Sequence, residues 1–331
     1  MPLHDISYQH WLGAHLGIAY RRWVIASNGL TACLQNRWMR HLVLLCWVSA
    51  LALSVILFLV GQLLVADSLM VQWVANFSPE LQTFARMLTI WLEHHPEISV
   101  RTTQNVLFFY YCTSLLKVSI FVLGMAMPLL ITRDLGSNAM IIYASKAVNR
   151  FDYLLGKFAT AFGLLALTWL GPVCGGWLLG NLLAPDWRFF WHSRAVLWHA
   201  LLYGLTSMGV LSLLALGVSA ISAREKSTPA LWFMWWILAG VVGQIAIHTR
   251  PWLQHLSFNF NLEQVALGVF RLGDDIKTAQ ESIPILGNLL RTIRPATIAA
   301  LNAPALTGAV LALLVMCGLA ILLLHKKVRP E

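Results

Sequence analysis

The sequence predicts an all-α integral membrane protein with six transmembrane helices, an N-terminal amphipathic interface helix and short helices in the last outer loop. Two observations predict this class. Hydrophobic residues make up 58% of the 331 residues and charged residues only 11%, whereas soluble domains carry about 25% charged residues. The chain also contains six apolar runs near the roughly 20 residues that cross a bilayer. This composition excludes a soluble globular enzyme and a disordered chain.

The first element is an amphipathic helix, predicted within a cytoplasmic segment of residues 1–41. Aromatic and aliphatic residues recur at steps of four, at Tyr8, Leu12, Leu16 and Tyr20. Basic and polar residues lie between them, which is typical of a helix in the membrane interface. We expect Ser27-Asn28-Gly29 to end this helix. The pattern also fits a soluble helix packed on a partner.

The transmembrane domain is predicted over residues 42–325, followed by a basic cytoplasmic tail over residues 326–331. The six predicted spans cover residues 42–65, 106–131, 154–183, 195–221, 229–248 and 304–324. The third span is long enough to tilt or to contain a break at Gly171-Pro172.

Three outer loops are predicted over residues 66–105, 184–194 and 249–303. In the first loop, Ser78 and Pro79 begin a helix over residues 81–92, which Pro96 ends. The last loop is predicted to hold two short helices, over residues 262–272 and 282–292. The sequence leaves open whether they re-enter the membrane or lie on its outer surface.

The distribution of basic residues predicts that both termini are cytoplasmic. With this orientation thirteen Lys and Arg residues lie inside and nine lie outside, while Lys117 lies within a span. The inside loops are short, and the clusters at Arg37/Arg40 and Lys326/Lys327 adjoin spans, where the positive-inside rule is strongest.

The sequence carries no motif for nucleotide or metal chemistry. Gly156-Lys157 is followed by Phe158, where a phosphate-binding P-loop needs Ser or Thr. The segment 93–97 contains two histidines but not the order of a zinc helix. The five cysteines have no metal or redox spacing and are interpreted as apolar side chains. We therefore expect this chain to be no enzyme, with no metal site and no cofactor of its own.

The most informative segment is the predicted cytoplasmic loop at residues 132–157, with a coupling part at 132–153. It begins with Arg133-Asp134-Leu135-Gly136 and ends with Arg150, Asp152-Tyr153 and Gly156-Lys157. A short charged loop with a helical middle, held by two spans, is a lever that a partner can push. A solvated loop without a partner is the alternative.

These residues resemble the corresponding loop in permease subunits of ATP-binding-cassette exporters of the second permease type. In that family the loop begins with Arg/Asp-Arg and a Gly and continues with small and apolar residues. It ends with Pro-x-Ser-Arg, an acidic or aromatic pair, and Leu-Gly-Lys entering the next span. The segment 219–227, with Ser219 followed by basic residues, is similar to the family's Ser-x-x-x-basic step. This chain departs from the pattern at Ala147, where many members have Pro, and at Lys146, where many have Arg.

The resemblance implies a permease that forms the translocation pathway as a homo- or heterodimer in the bacterial inner membrane. Separate ATPase subunits, which bind ATP and Mg, would drive it. The ATPase-coupling residues would be Arg133, Asp134, Lys146, Asn149, Arg150, Asp152, Tyr153 and Lys157.

Three polar residues are candidates for the translocation pathway: Lys117, Gln62 and Gln244. A charge in the hydrocarbon core is costly, so Lys117 should face protein or water, unless a register shift lets it snorkel to the interface. Two other functions stay open. One is a non-transporting membrane scaffold or assembly factor. The other is a membrane enzyme that uses outer-loop histidines: His94, His95, His248 and His255.

Overall fold

A computed structural model describes residues 17–63, 96–137, 149–184, 187–222, 224–246, 248–282, 301 and 303–328. Within these residues all regular structure is helical and there is no strand, so the all-α class is confirmed. Eleven α-helices are numbered in chain order. They are α1 (Ile18–Gln35), α2 (Arg37–Leu63), α3 (Pro96–Met127), α4 (Arg133–Gly136), α5 (Arg150–Leu165), α6 (Gly171–Leu182), α7 (Arg188–Ser219), α8 (Ser227–Ile245), α9 (Phe258–Phe270), α10 (Leu272–Ser282) and α11 (Leu306–Lys327).

Six continuous helical segments are long and apolar enough to cross a membrane, and each coincides with a predicted span. They are Arg37–Gln62, Val100–Gly136, Arg150–Leu182, Phe189–Ser219, Ser227–Ile245 and Leu306–Lys327. Their ends differ from the predicted ends by one to six residues, and the ends that extend beyond the predicted spans do so into flanking polar residues. The chain therefore has the architecture of a multi-pass membrane protein.

The centre of the bundle is the long helix α3, which packs along α7. Side chains such as Phe108, Leu116, Ile120 and Leu123 on α3 are fully buried. Only a narrow stripe of α3 stays on the surface, so the other spans surround it on most sides.

The predicted break at Ser27-Asn28-Gly29 is wrong, because α1 runs through these residues to Gln35 and bends only at Asn36. Gly29 lies against α5, where a Cβ atom would sit 2.5 Å from Thr160 Oγ1. At Gly156 of α5, a Cβ atom would sit 2.7 Å from the Ile25 side chain of α1. The glycine at 29 therefore serves close helix packing rather than a turn. Residues 1–16, with Tyr8, lie outside the described residues.

Two of the long spans contain a π-helical turn beside a proline. One turn, Pro128–Thr132, joins α3 to α4, and the other, Ala166–Leu170, joins α5 to α6 just before Gly171-Pro172. Proline has no N–H and cannot continue the α-helical hydrogen-bond ladder. The predicted break in the third span is therefore present as a π turn inside a continuous helix.

The chain re-enters the bundle after α8. A 3-10 helix, Pro251–Leu256, runs back along α8, where Trp235 Nε1 donates to the Leu256 carbonyl (3.3 Å). Phe258 then stacks on Trp232 (5.0 Å between ring centroids), and Trp232 Nε1 donates to the carbonyl of Ile120 in mid-α3 (2.9 Å). The hairpin therefore reaches the middle of the bundle.

Helix α9 leads the chain back out of the bundle. It begins at Phe258, capped by the Ser257 side chain, and ends at Phe270, whose carbonyl accepts from Asn105 near the start of α3 (2.6 Å). The two ends of α9 thus lie near positions on α3 that are about 15 residues apart. The hairpin therefore packs against the long helix α3 within the bundle.

The helices of the last outer loop differ from the prediction. The first runs over Phe258–Phe270 rather than 262–272, because Ser257 caps it four residues earlier. A second helix, Leu272–Ser282, was not predicted. The helices predicted over 282–292 and 81–92 lie outside the described residues. Pro96 is the first residue of α3.

Candidate functional site

The candidate coupling residues gather at one end of the bundle, which we call the basic end. It comprises residues 18–26 of α1, 133–137 at the end of α4, 149–157 at the start of α5, 224–227 before α8 and 324–328 at the end of α11. Arg22, Arg133, Arg150, Lys326 and Lys327 all lie here.

Asp152 is turned inward at the basic end and pairs with Arg22 of α1. Its side chain is only 9% exposed, and the Arg22 guanidinium bonds Oδ1 through Nε (2.7 Å) and approaches it through Nη2 (2.5 Å). Arg22 also lies over the ring of Phe151 (5.9 Å to its centroid). This contact ties α1 to the first turn of α5, on which Asp152 is well placed for the helix dipole.

Lys157, Asp134 and Tyr153 form a second buried cluster that joins α4 to α5. Lys157 Nζ lies 2.8 Å from Asp134 Oδ2 and donates to the Leu129 carbonyl (3.2 Å). The Tyr153 hydroxyl donates to the same Asp134 oxygen (2.6 Å). Lys157 and Tyr153 are almost fully buried. Since the carboxylate accepts from both, the residues on either side of positions 138–148 are held together.

The remaining predicted coupling residues have different positions. Arg133 is exposed and lies 3.9 Å from Glu225. Asn149 is exposed at the start of α5. Arg150 donates to the carbonyls of Leu324 (2.6 Å) and His325, the last turn of α11. Lys146 lies outside the described residues.

Ser219 closes the gap in the hydrogen-bond ladder that the π turn opens. Its hydroxyl accepts from the backbone N–H of Ile131 (3.0 Å) and Thr132 (3.1 Å) and donates to the Met127 carbonyl (2.9 Å). The Thr132 hydroxyl bonds back to the Ser219 carbonyl (2.8 Å) and lies 3.0 Å from Thr228 Oγ1. The ends of α3, α7 and α8 are thereby locked together.

Sequence reasoning did not assign the roles that three residues have in this site. Arg22 pairs with a residue 130 positions away, and Ser219 inserts into a helix 88 positions away, which no local pattern shows. Phe151 is 68% exposed at the tip of α5. The sequence feature that could have pointed to Phe151 is a large aromatic side chain between the charged residues Arg150 and Asp152.

The three candidate pathway residues are not brought together. Lys117 is exposed at mid-length of α3, Gln62 is partly buried near the end of α2, and Gln244 is exposed near the end of α8. Tyr110, Ser114, Lys117 and Phe121 form the exposed stripe of α3. Lys117 therefore faces the surroundings of the single chain rather than its core.

Within the described part of the chain, no three His, Cys, Asp or Glu side chains lie close enough to hold a metal ion. His94 and His95 are outside that part. His255 Nδ1 lies 2.7 Å from Asn261 Oδ1 in the re-entrant hairpin, and His248 is exposed. All five cysteines are free, and burial raises the pKa of Cys33 on α1 to about 11.

Comparison with models of known protein families finds none that matches this chain. A search of the curated proteins finds no match either.

Proposed function

We propose that this chain is the permease subunit of an ATP-driven exporter, in which two permeases enclose the translocation pathway and separate ATPase subunits supply the energy. The observation that carries the proposal is the polar network formed by residues that flank positions 138–148. A force applied between Gly136 and Arg150 would reach α4 through Asp134, α5 through Lys157 and α1 through Arg22. Spans tied in this way move as one rigid unit.

The network divides the coupling residues into two groups. Asp152, Tyr153 and Lys157 are buried, so an ATPase could reach them only by displacing α1. They are positioning residues that hold the loop. Asn149, Phe151 and Arg133 are exposed, and in the proposal they contact the ATPase, with the basic end on the cytoplasmic side.

The exposed stripe of α3 is the best candidate for the pathway wall. Lys117 lies 17 residues from Val100 and 19 from Gly136, the ends of its 37-residue helical segment. That segment is about 55 Å long at 1.5 Å per residue and exceeds the roughly 30 Å hydrocarbon core, so in the proposal Lys117 lies near the middle of the core. A charge there is costly, and in the proposal a partner permease or a water-filled path covers it, with Gln62 and Gln244 towards the outer mouth.

The test of the proposal is purification of the tagged chain in mild detergent with its partners identified by mass spectrometry. A stoichiometric ATPase subunit with its own P-loop, whose ATP hydrolysis changes when the chain is removed, is the expected result. A chain that purifies alone or with other membrane proteins only would overturn the proposal and favour a membrane scaffold.

Phe151→Ala tests the contact surface separately. Because Phe151 is 68% exposed, its loss should leave the fold intact but weaken ATPase binding, lowering co-purified ATPase several-fold. Trp187→Ala is the matched control, since Trp187 is a 65% exposed aromatic at the opposite end of the bundle. Equal ATPase recovery with both variants would exclude Phe151 from the contact.

A further inference from the structure

Three helices, α2, α3 and α8, form the face on which the exposed stripe of α3 lies. The stripe consists of Tyr110, Ser114, Lys117 and Phe121. On the α2 side of the stripe, the Tyr111 hydroxyl oxygen lies 3.2 Å from Ser49 Oγ. On the α8 side, the ring centroid of Phe121 lies 5.4 Å from that of Phe233 and 5.6 Å from that of Trp236. The face therefore combines one ammonium group with several aromatic rings.

The positive charge of Lys117 is not neutralised within this face. Among the described residues no carboxylate forms an ion pair with it. The described parts of α2, α3 and α8 contain one acidic residue, Glu97, which is 20 positions or about 30 Å away along α3. The neighbouring Ser114 hydroxyl donates to the Tyr110 carbonyl (2.7 Å) and carries no charge. A counter-charge therefore has to come from outside these three helices.

A second copy of this chain would not supply the counter-charge. Two identical subunits meet through the same surface patch on each, so a dimer across this face brings a second Lys117 and no carboxylate. Two ammonium groups that face one path repel each other unless an anion lies between them. The neutralising charge is therefore left to what passes along the path.

We propose that the substrate of this path is an amphipathic anion, whose negative group pairs with Lys117 while its apolar body lies on the rings of Tyr110 and Phe121. The inference rests on the proposed function, because it takes the exposed stripe as the wall of a translocation pathway. Tyr110 and Phe121 are 61% and 46% exposed, so both rings are open to a ligand. A small inorganic anion would gain nothing from the rings, and a neutral amphiphile would gain nothing from the ammonium group.

Charge selection is tested with Ser114→Cys in a variant without native cysteines, purified into phosphatidylcholine nanodiscs. Ser114 lies three residues from Lys117 on the same helix face, about 6 Å away. The cysteine is reacted with an anionic and a cationic methanethiosulfonate, and each rate is divided by the rate with a small thiol in solution. The anionic reagent should be favoured, and Lys117→Gln should lower the ratio of the two rates by about tenfold, because a unit charge at this distance changes each rate about threefold in opposite directions. Lys117→Arg, which keeps the charge, should keep the ratio.

Two controls separate this inference from the proposed function. Arg101→Gln removes a cation from the same helix 13 residues from Ser114, or about 20 Å away, beyond the screening length of about 8 Å, and should leave the ratio unchanged. Leu314→Cys, 64% exposed on α11, should react with neither reagent because lipid covers it. Reaction of Ser114→Cys without charge preference would overturn the inference and leave the path intact. No reaction at Ser114→Cys would overturn the path, and the inference with it.

The amphipathic character of the substrate is tested by protection of Ser114→Cys from a neutral methanethiosulfonate. Decyl sulfate, inorganic sulfate and decanol, at equal concentrations, serve as the amphipathic anion, the simple anion and the neutral amphiphile. Only decyl sulfate should slow the labelling, and Lys117→Gln should weaken its protection several-fold. Equal protection by inorganic sulfate would overturn the need for an apolar body, and equal protection by decanol would overturn the selection for charge.

Discussion

The ion pair between Lys157 and Asp134 makes it energetically costly to separate α4 from α5 at the basic end. Both side chains are largely removed from water, with 9% and 15% of their surfaces exposed. A buried pair adds little stability over apolar residues of the same size, but removing one partner leaves an uncompensated charge. The pair therefore acts as a constraint on geometry, since any motion that separates α4 from α5 exposes both charges.

Asp134→Asn should destabilise the protein by about 3–5 kcal/mol, because it leaves the Lys157 ammonium buried without its counter-ion. Thermal unfolding in detergent measures this change. Arg133→Gln is the control, because the Arg133–Glu225 pair is exposed and worth under about 1 kcal/mol. The double variant Asp134→Leu/Lys157→Met should lose less stability than Asp134→Asn. Equal effects of Asp134→Asn and Arg133→Gln would contradict a buried pair.

Cys33 should resist alkylation in the folded protein. Burial raises its pKa to about 11, so at pH 8 only about one thiol in a thousand is the reactive thiolate. We expect a variant that keeps Cys33 as its only cysteine to react with N-ethylmaleimide only after unfolding or near pH 11. Trp23→Cys without the native cysteines should react at once at pH 8, because Trp23 is 68% exposed on the same helix. Rapid labelling of native Cys33 would mean that α1 detaches from α5.

Close packing of the two backbones holds α1 against α5, in addition to the Arg22–Asp152 ion pair. Gly29 and Gly156 allow the two helices to approach closely, and the Arg22–Asp152 pair closes one end of the contact. Small residues at crossing points are a common means of packing helices in membranes. Since α1 is joined to α2 by a single bend at Asn36, movement of α5 would be passed on to the first span.

Gly29→Ala should weaken this packing, because the added Cβ would lie 2.5 Å from Thr160 Oγ1. Gly163→Ala, in α5 where a Cβ meets nothing within 4 Å, should be neutral or stabilise the helix by up to about 1 kcal/mol. Limited proteolysis of α1 and thermal unfolding report the difference. If Gly29→Ala were as stable and as protease-resistant as Gly163→Ala, close packing would not be the reason for this glycine.

The spans were predictable from the sequence because apolar run length alone determines them. Helix ends were harder to predict where contacts with another helix decide whether the chain stays helical. Gly29 has the signature of a turn, yet its contact with Thr160 keeps it helical. Helix α10 is short and mostly polar and carries Asp274 and Asp275 in its first turn; these acidic residues are a helix-start signal that the sequence analysis did not use.

The candidate site was predictable as a segment but not as a structure. Arg150, Asp152 and Lys157 stand out by type and spacing, and the segment was interpreted as one exposed lever. The structure pairs Asp152 with Arg22 on α1 and Lys157 with Asp134 on α4, and both Asp152 and Lys157 are buried. Arg22 lies 130 residues from Asp152, and the pairing of Asp134 with Lys157 depends on how the two ends of the segment fold together, so the segment's pattern alone cannot separate an exposed contact residue from a buried positioning residue.

At the scale of the whole molecule, the hairpin from Arg250 to Phe270 bears on which segments share a side of the membrane. If each of the six candidate spans among the described residues crosses once, Trp23 and Lys327 lie on the same side. A hairpin that re-enters the membrane would enter and leave on one side and would keep this arrangement. If α9 crossed instead, α10 would lie on the side of the basic end.

Cysteine accessibility distinguishes these topologies. In a variant without native cysteines, Trp23→Cys and Lys327→Cys should be labelled from one side by a membrane-impermeant maleimide. Arg250→Cys and Asp274→Cys should be labelled only from the other side. All four positions are exposed, so differences in labelling report sidedness rather than burial. The positive-inside rule further assigns the Trp23 side to the cytoplasm. Labelling of Asp274→Cys from the Trp23 side would show that α9 crosses the membrane, and the hairpin would have to be abandoned.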